Sequence, residues 1–167
     1  MNYMKTLPML KVVSNATPVI SLLKISQLDI LRELYSEVLV PNAVFQEIEA
    51  GKNKTYYQDL SKLNWVRIVD IRNTSALKYF LELDAGESEA IVLATELEAD
   101  LLIMDEKLGR FHAKHAGLKV TGIIGVLIKA KKLGFVKTLK PLLHELARKG
   151  VWIKDDLMSE VLKEAGE

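Results

Sequence analysis

The sequence predicts a three-layer α/β/α sandwich with a mainly parallel central sheet. Three observations carry that fold class. Short apolar runs alternate with longer stretches of helical periodicity along the chain. Successive apolar runs are separated by ten residues or more, enough for a crossover helix between parallel strands. No internal repeat, low-complexity tract or linker interrupts the pattern. Residues 1–167 therefore read as a single domain, with 151–167 as a C-terminal helical extension of it.

The elements follow in order. Leu10 to Ser14 is strand-like, and Pro18 opens a helical run from Val19 to Leu23. A second helix spans Leu28 to Tyr35, with Leu28, Leu31 and Leu34 on one face. Val38 to Val40 is a short buried strand stopped by Pro41, whose missing N–H suits the first turn of the next helix. That helix carries Ala43, Val44, Glu47 and Ile48 and ends at Gly51. Residues 52–64 are polar and irregular, and Trp65 to Asp70 alternates as a half-exposed edge strand does.

Asp84 and Glu87 have the spacing of a capping box and open a helix from Ala85 to about Glu98. Leu101 to Met104, bounded by Asp100 and Asp105, is a four-residue apolar run of the kind a central parallel strand shows. A helix runs on to His115, Gly117 breaks it, and Leu118 to Thr121 forms another strand. Helices Ile123–Leu133, Leu139–Lys149 and Leu157–Ala165 complete the chain, the first two closed by Gly134 and Gly150. Their apolar stripes (Ile124, Leu127, Ile128; Leu142, Leu143, Leu146) are those a core requires.

Composition removes several functional classes. With no cysteine there is no disulfide framework, zinc ribbon, thiol redox centre or cysteine nucleophile. No run of about 18 apolar residues spans a bilayer, and Met1 to Lys11 is too poor in charge and apolar length for a secretion signal. A cytoplasmic protein that does not enter a membrane is the expectation. The 23 basic and 22 acidic residues nearly cancel, but they are unevenly spread. Glu82 to Asp105 holds eight acids and no Lys or Arg, whereas Lys107 to Lys149 holds eleven basic residues and one acid. Such asymmetry reads either as solvated helix faces or as an acidic site beside an anion-binding patch.

Ligands of an open parallel sheet sit beyond the carboxyl ends of its strands. Asn15 and Asp105 fall there, and neither is followed by a glycine-rich phosphate loop. Asp105 fits an N-cap as well as a ligand. Glu89 lies between Val92 and Leu93 on the helical wheel, and Glu47 lies one residue before Ile48. Each of these two is either a solvated boundary residue or a carboxylate aimed at the site. Glu87 is explained by capping, with an outer-sphere role as its alternative.

Four stretches in order then resemble the PIN-domain nucleases. Val12 to Ile20 resembles their opening strand and turn, in which an Asp is followed two residues later by Ser or Thr; here these are Asn15 and Thr17. Pro41 to Ile48 resembles the second motif, Leu83 to Ala94 the third and Leu101 to Asp105 the fourth, with Gly117 to Gly125 extending the likeness. The branch most similar is that of predicted nucleic-acid-binding PIN-like proteins related to VapC toxins. The resemblance implies a PIN-like fold and a site of Asn15, Glu47, Glu89 and Asp105, with Thr17 as the small hydroxyl residue. It implies Mg²⁺ or Mn²⁺ held by oxygen ligands, and metal-dependent hydrolysis of phosphodiester bonds in single-stranded or structured RNA. It also implies a homodimer and a toxin silenced by a small antitoxin protein. Lys107 and Arg110, close in sequence to Asp105, are the expected nucleic-acid contacts.

Asn15 replaces the family's Asp, leaving the four-residue cluster at −3 rather than −4. The alternative function is therefore a catalytically weakened PIN-like module that binds nucleic acid or protein. A metal-independent ribonuclease would need His112, His115 and His144 to work as acid and base with a Lys. A zinc site at His112 and His115 lacks further ligands.

Overall fold

A computed structural model of the chain describes residues 9–167. Residues 1–8, including most of the segment weighed above as a secretion signal, lie outside the described residues. The elements are β1 (Val12–Ser14), α1 (Ala16–Lys24), α2 (Asp29–Tyr35), β2 (Val38–Pro41), α3 (Asn42–Ala50), β3 (Val66–Val69), α4 (Ala85–Glu96), β4 (Leu101–Ile103), α5 (Lys107–His115), β5 (Val120–Thr121), α6 (Ile123–Lys132), α7 (Lys140–Arg148) and α8 (Asp155–Glu164). Two 3₁₀ segments, Leu60–Lys62 and Thr74–Phe80, flank β3.

All five strands are parallel, in the order β3-β2-β1-β4-β5. The predicted parallel α/β/α sandwich is the observed fold, with the Trp65–Asp70 strand at one edge and the Leu101–Met104 strand in the interior. Strand periodicity divides the core into two layers. Val12, Val38, Val40 and Ile103 face one side, where they meet residues of α1, α2, α6 and α7. Val13, Leu39, Leu102 and Met104 face the other, against α4 and Ala113 of α5. Leu127, Leu143 and Leu146 are fully buried, as their stripes require, and Val161 of α8 joins the same layer.

Most element ends shift by one or two residues from expectation, and three differences have a clear physical reason. α1 starts at Ala16, so Pro18 sits in its first turn, where a missing N–H costs nothing. β5 shortens to Val120–Thr121 because only Leu102 and Ile103 pair with it. The Thr74–Phe80 turn carries no buried residue and hence no periodic signal. No helix among the described residues is long and apolar enough to cross a membrane.

The strand order sets the site. From β1 the chain proceeds to β2 and β3 on one side, then crosses back to β4 and β5 on the other. The order reverses between β1 and β4, and a crevice opens there at the carboxyl ends. Ser14 pairs with Ile103, and the Asn15 N–H donates to the Ile103 carbonyl at 2.9 Å, so the residues after both strands meet in that crevice.

Candidate active site

Asn15 is the N-cap of α1 and is buried. Its side chain does not cap its own helix; Nδ2 donates instead to Glu106 Oε2 at 3.2 Å. Thr17 Oγ1 donates to Glu106 Oε1. Both oxygens of Glu106, the residue following β4 and Met104-Asp105, are thus tied to the residues following β1. This cross-link joins the two strands of the switch point.

Asp105 stands beside it. Its Oδ1 accepts the Ile123 N–H at 2.9 Å, at the first turn of α6, while Oδ2 is buried with no partner among the described residues. Burial pushes its carboxyl pKa up, the Ile123 amide opposes this, the charge of Glu106 raises it further and Arg110 lowers it. Arg110 Nη1 donates to the Met104 carbonyl at 3.0 Å. Gly122 makes this packing possible, since a Cβ there would lie 2.5 Å from Asp105 Oδ1 and 2.9 Å from Arg110 Nη1.

The N-terminus of α4 closes a third side. Asp84 and Glu87 form the predicted capping box: Asp84 Oδ1 accepts the Glu87 N–H at 2.8 Å, and Glu87 Oε2 accepts the Asp84 N–H at 3.1 Å. A Cβ on Gly86 would lie 3.5 Å from both Asn15 Oδ1 and Asp84 Oδ1, which places this turn against Asn15. Glu87 is buried; desolvation raises its pKa, the Asp84 amide lowers it, and Asp84 and Glu106 raise it again. Glu47, on α3, is raised first by partial desolvation and then by the charges of Asp84, Glu106 and Glu87. Glu106 thus raises the pKa of Glu47, Glu87 and Asp105 alike. The crevice is a set of carboxylates that repel one another, with Arg110 offsetting the charge of Asp105 at one edge.

A family model described as a PIN domain matches residues 11–167. The chain belongs to the PIN domain family. PIN domains are generally nucleases and usually use divalent metal ions. A comparison with curated proteins returns no match.

The donor set of this PIN domain has the chemistry a hard divalent ion requires, oxygen throughout. The unpartnered Oδ2 of Asp105 and the neighbouring carboxylates suit a cation in their chemistry. Among the described residues, however, no three Asp, Glu or His side chains already stand as a metal-holding group. Their oxygens are held instead by Asn15, Thr17 and backbone amides.

Of the residues the motifs singled out, Asn15 and Thr17 meet on Glu106, and Asp105 and Glu47 both feel its charge. Glu89 has another partner. Its Oε1 accepts the Ala43 N–H at 3.1 Å, capping α3, whose own N-cap is Pro41 and supplies no side-chain bond. Lys107 and Arg110 line a cleft that starts at Asp105 and Glu106. The histidines take separate roles. His112 Nε2 faces Glu82 at 3.5 Å, His115 Nδ1 is 3.0 Å from the Phe111 carbonyl, and His144 is exposed on α7.

Glu106 is the residue that sequence reasoning passed over, together with the closeness of Glu87 to the other acids. The signal for Glu106 is the tandem Asp-Glu at the end of an apolar strand. With Asp105 already at the strand end, the next acid falls to the start of the following helix, where acids are common anyway.

Proposed function

We propose that this PIN domain is a divalent-metal-dependent ribonuclease working at the β1/β4 crevice. The observation that carries the reading is Glu106, whose carboxylate is bonded by Asn15 and Thr17 and repels Asp105, Glu87 and Glu47. Asp105, Glu106 and Glu87, with the amide oxygen of Asn15, would hold Mg²⁺ or Mn²⁺. When bound, the ion polarises the scissile phosphate and lowers the pKa of an attacking water. Glu47, whose carboxyl pKa is raised by desolvation and by the charges of Asp84, Glu106 and Glu87, would accept a proton from the attacking water at a carboxylate oxygen. The water oxygen forms the new bond to phosphorus as the leaving ribose oxygen departs and takes a proton from solvent. Lys107 and Arg110 hold the flanking phosphates against the repulsion of the acids. Thr17 and Asn15 keep Glu106 oriented.

The finer biological role proposed is that of a cytoplasmic toxin, acting as a homodimer and silenced by a small antitoxin protein. It rests on the likeness of the four motifs to the VapC-related branch. Growth arrest on expressing the wild-type chain, absent with Asp105→Asn, would support it. Growth unaffected by an active enzyme would contradict it.

The function itself is tested by incubating labelled single-stranded RNA with the protein in Mn²⁺ or in EDTA. Cleavage in Mn²⁺ only, abolished by Asp105→Asn, is the expected result. Cleavage that persists in EDTA would overturn it. One feature favours the second reading, a nucleic-acid-binding module with weakened catalysis: the Asn15 side chain spends its amide N–H₂ on Glu106 and brings no charge of its own. Salt-dependent RNA binding without cleavage in either metal would select that reading.

A further inference from the structure

We propose that the cleft leading away from the acidic crevice is a track for single-stranded nucleic acid, with Trp152 and Phe111 as base-stacking platforms. The inference rests on the proposed nuclease function and adds the determinant of how the strand is held. The cleft has a volume of about 1090 Å³. That lies at the upper edge of the roughly 300–1,000 Å³ of small-molecule sites and suits a polymer better than a metabolite.

Its walls alternate cations with aromatic rings. Lys107, Arg110, Phe111 and Lys114 all line it from α5, and their i, i+3, i+4, i+7 spacing makes them one stripe along the helix. Trp152 and Lys154 line it from the coil between α7 and α8. Lys24, at the end of α1, also lines the cleft, making five basic side chains against two acids, Asp105 and Glu106, which belong to the crevice itself. Trp152 is 79% exposed and Phe111 54% exposed, although both are large apolar side chains that burial would favour. The Trp152 backbone is nonetheless anchored: its neighbours Val151 and Ile153 pack against the core, and the Val151 N–H donates to the Leu146 carbonyl at 2.9 Å. Lys154 Nζ lies 6.0 Å from the indole centroid, and the His115 ring backs Phe111 at 4.2 Å. Exposed rings on fixed backbone, interleaved with cations, match a strand whose bases unstack and whose phosphates repeat. An apolar protein helix would leave these cations desolvated without partners.

The test is fluorescence anisotropy in EDTA with a fluorescein-labelled single-stranded oligouridylate of about 12 nucleotides, within the range one binding groove covers. Trp152→Ala should weaken binding roughly 5- to 150-fold, one stacked base's worth, and Trp152→Phe should restore most of it. Lys154→Ala should flatten the salt dependence by about 0.7 in logarithmic slope. In cleavage assays Trp152→Ala should raise KM and spare kcat, and its Tm should match wild type because the ring is exposed. If wild type binds and cleaves but Trp152→Ala and Lys154→Ala bind equally well, the track is overturned and the nuclease reading stands. If Trp152→Ala instead halves the molar mass in solution, the cleft is a contact between copies of this chain and the track is again overturned. A wild-type chain that neither binds nor cleaves would remove the nuclease reading and the track together.

Discussion

Asn15 and Glu106, 91 residues apart in sequence, are joined by a hydrogen bond from Nδ2 to Oε2 at 3.2 Å across the point where the strand order reverses. An Asp at position 15 would have no hydrogen to donate and would set two carboxylates against each other. The amide thus stabilises the acidic crevice when no cation is bound.

Asn15→Asp therefore exchanges stability for metal affinity. In EDTA the substitution should cost about 1–3 kcal/mol, as for a buried hydrogen bond replaced by an unpaired charge. In Mn²⁺ the loss should shrink and calorimetry should show tighter binding than wild type. Unchanged or weaker Mn²⁺ affinity would count against a ligand role for this position.

Glu89 reaches from α4 to the start of α3, and its removal should be felt there. Glu89→Ala should lower stability by about 0.5–2 kcal/mol, the range of a lost helix cap. Glu89→Gln keeps an oxygen for the Ala43 N–H and should lose less, since only the charge at the helix N-terminus goes. Thermal melts of the two variants distinguish these outcomes; equal losses would show that the cap geometry is not what Glu89 supplies.

Gly122 permits the close approach of Asp105 and Arg110. Its backbone, with φ −116° and ψ −173°, is one that alanine adopts freely. Gly122→Ala should therefore act by crowding alone, costing about 1–3 kcal/mol and displacing Asp105. Activity should fall with it, while Gly51→Ala, where a Cβ would lie no closer than 3.5 Å to its neighbours, should leave activity untouched.

Glu167 offers a pH test away from the crevice. Its carboxylate accepts the Leu139 N–H at 2.7 Å, the Lys140 N–H at 3.1 Å and the Lys131 ammonium at 2.6 Å, and these hold its pKa down to about 2. A depressed carboxyl stabilises the fold above its unfolded pKa, and that stability is lost as pH falls through the folded value. The wild-type Tm advantage over Glu167→Gln should thus be full at neutral pH and shrink between about pH 4.5 and 2. An advantage that grew on acidification would contradict the assignment.

Much of this was legible in the residues. The Leu101–Met104 run reads as an interior strand, and the Asp84/Glu87 spacing correctly marks the start of α4. Strand periodicity foretells which side of the sheet each apolar residue takes. The Thr74–Phe80 turn was hidden because an exposed 3₁₀ segment has no buried stripe to reveal it. For the site, the ends of β1 and β4 were readable as places, since a parallel sheet fixes where its carboxyl edge lies. Which neighbour a boundary carboxylate meets was not. A helical wheel puts Glu89 beside the apolar face, but only the packing of α4 on α3 shows that it meets the Ala43 amide. The same limit hid Glu106, whose importance lies in a contact spanning 91 residues.

The proposed nuclease function has its working carboxylates gathered about Glu106. Its most direct test is Mn²⁺-dependent cleavage of labelled single-stranded RNA by wild type, Glu106→Gln and Glu89→Gln, each first shown to be folded. Glu106→Gln should lose at least the roughly 10- to 100-fold that removing a supporting partner of a metal site costs, and Glu89→Gln should stay close to wild type, since Gln keeps the cap oxygen. Full activity in Glu106→Gln with an inactive Glu89→Gln would contradict it.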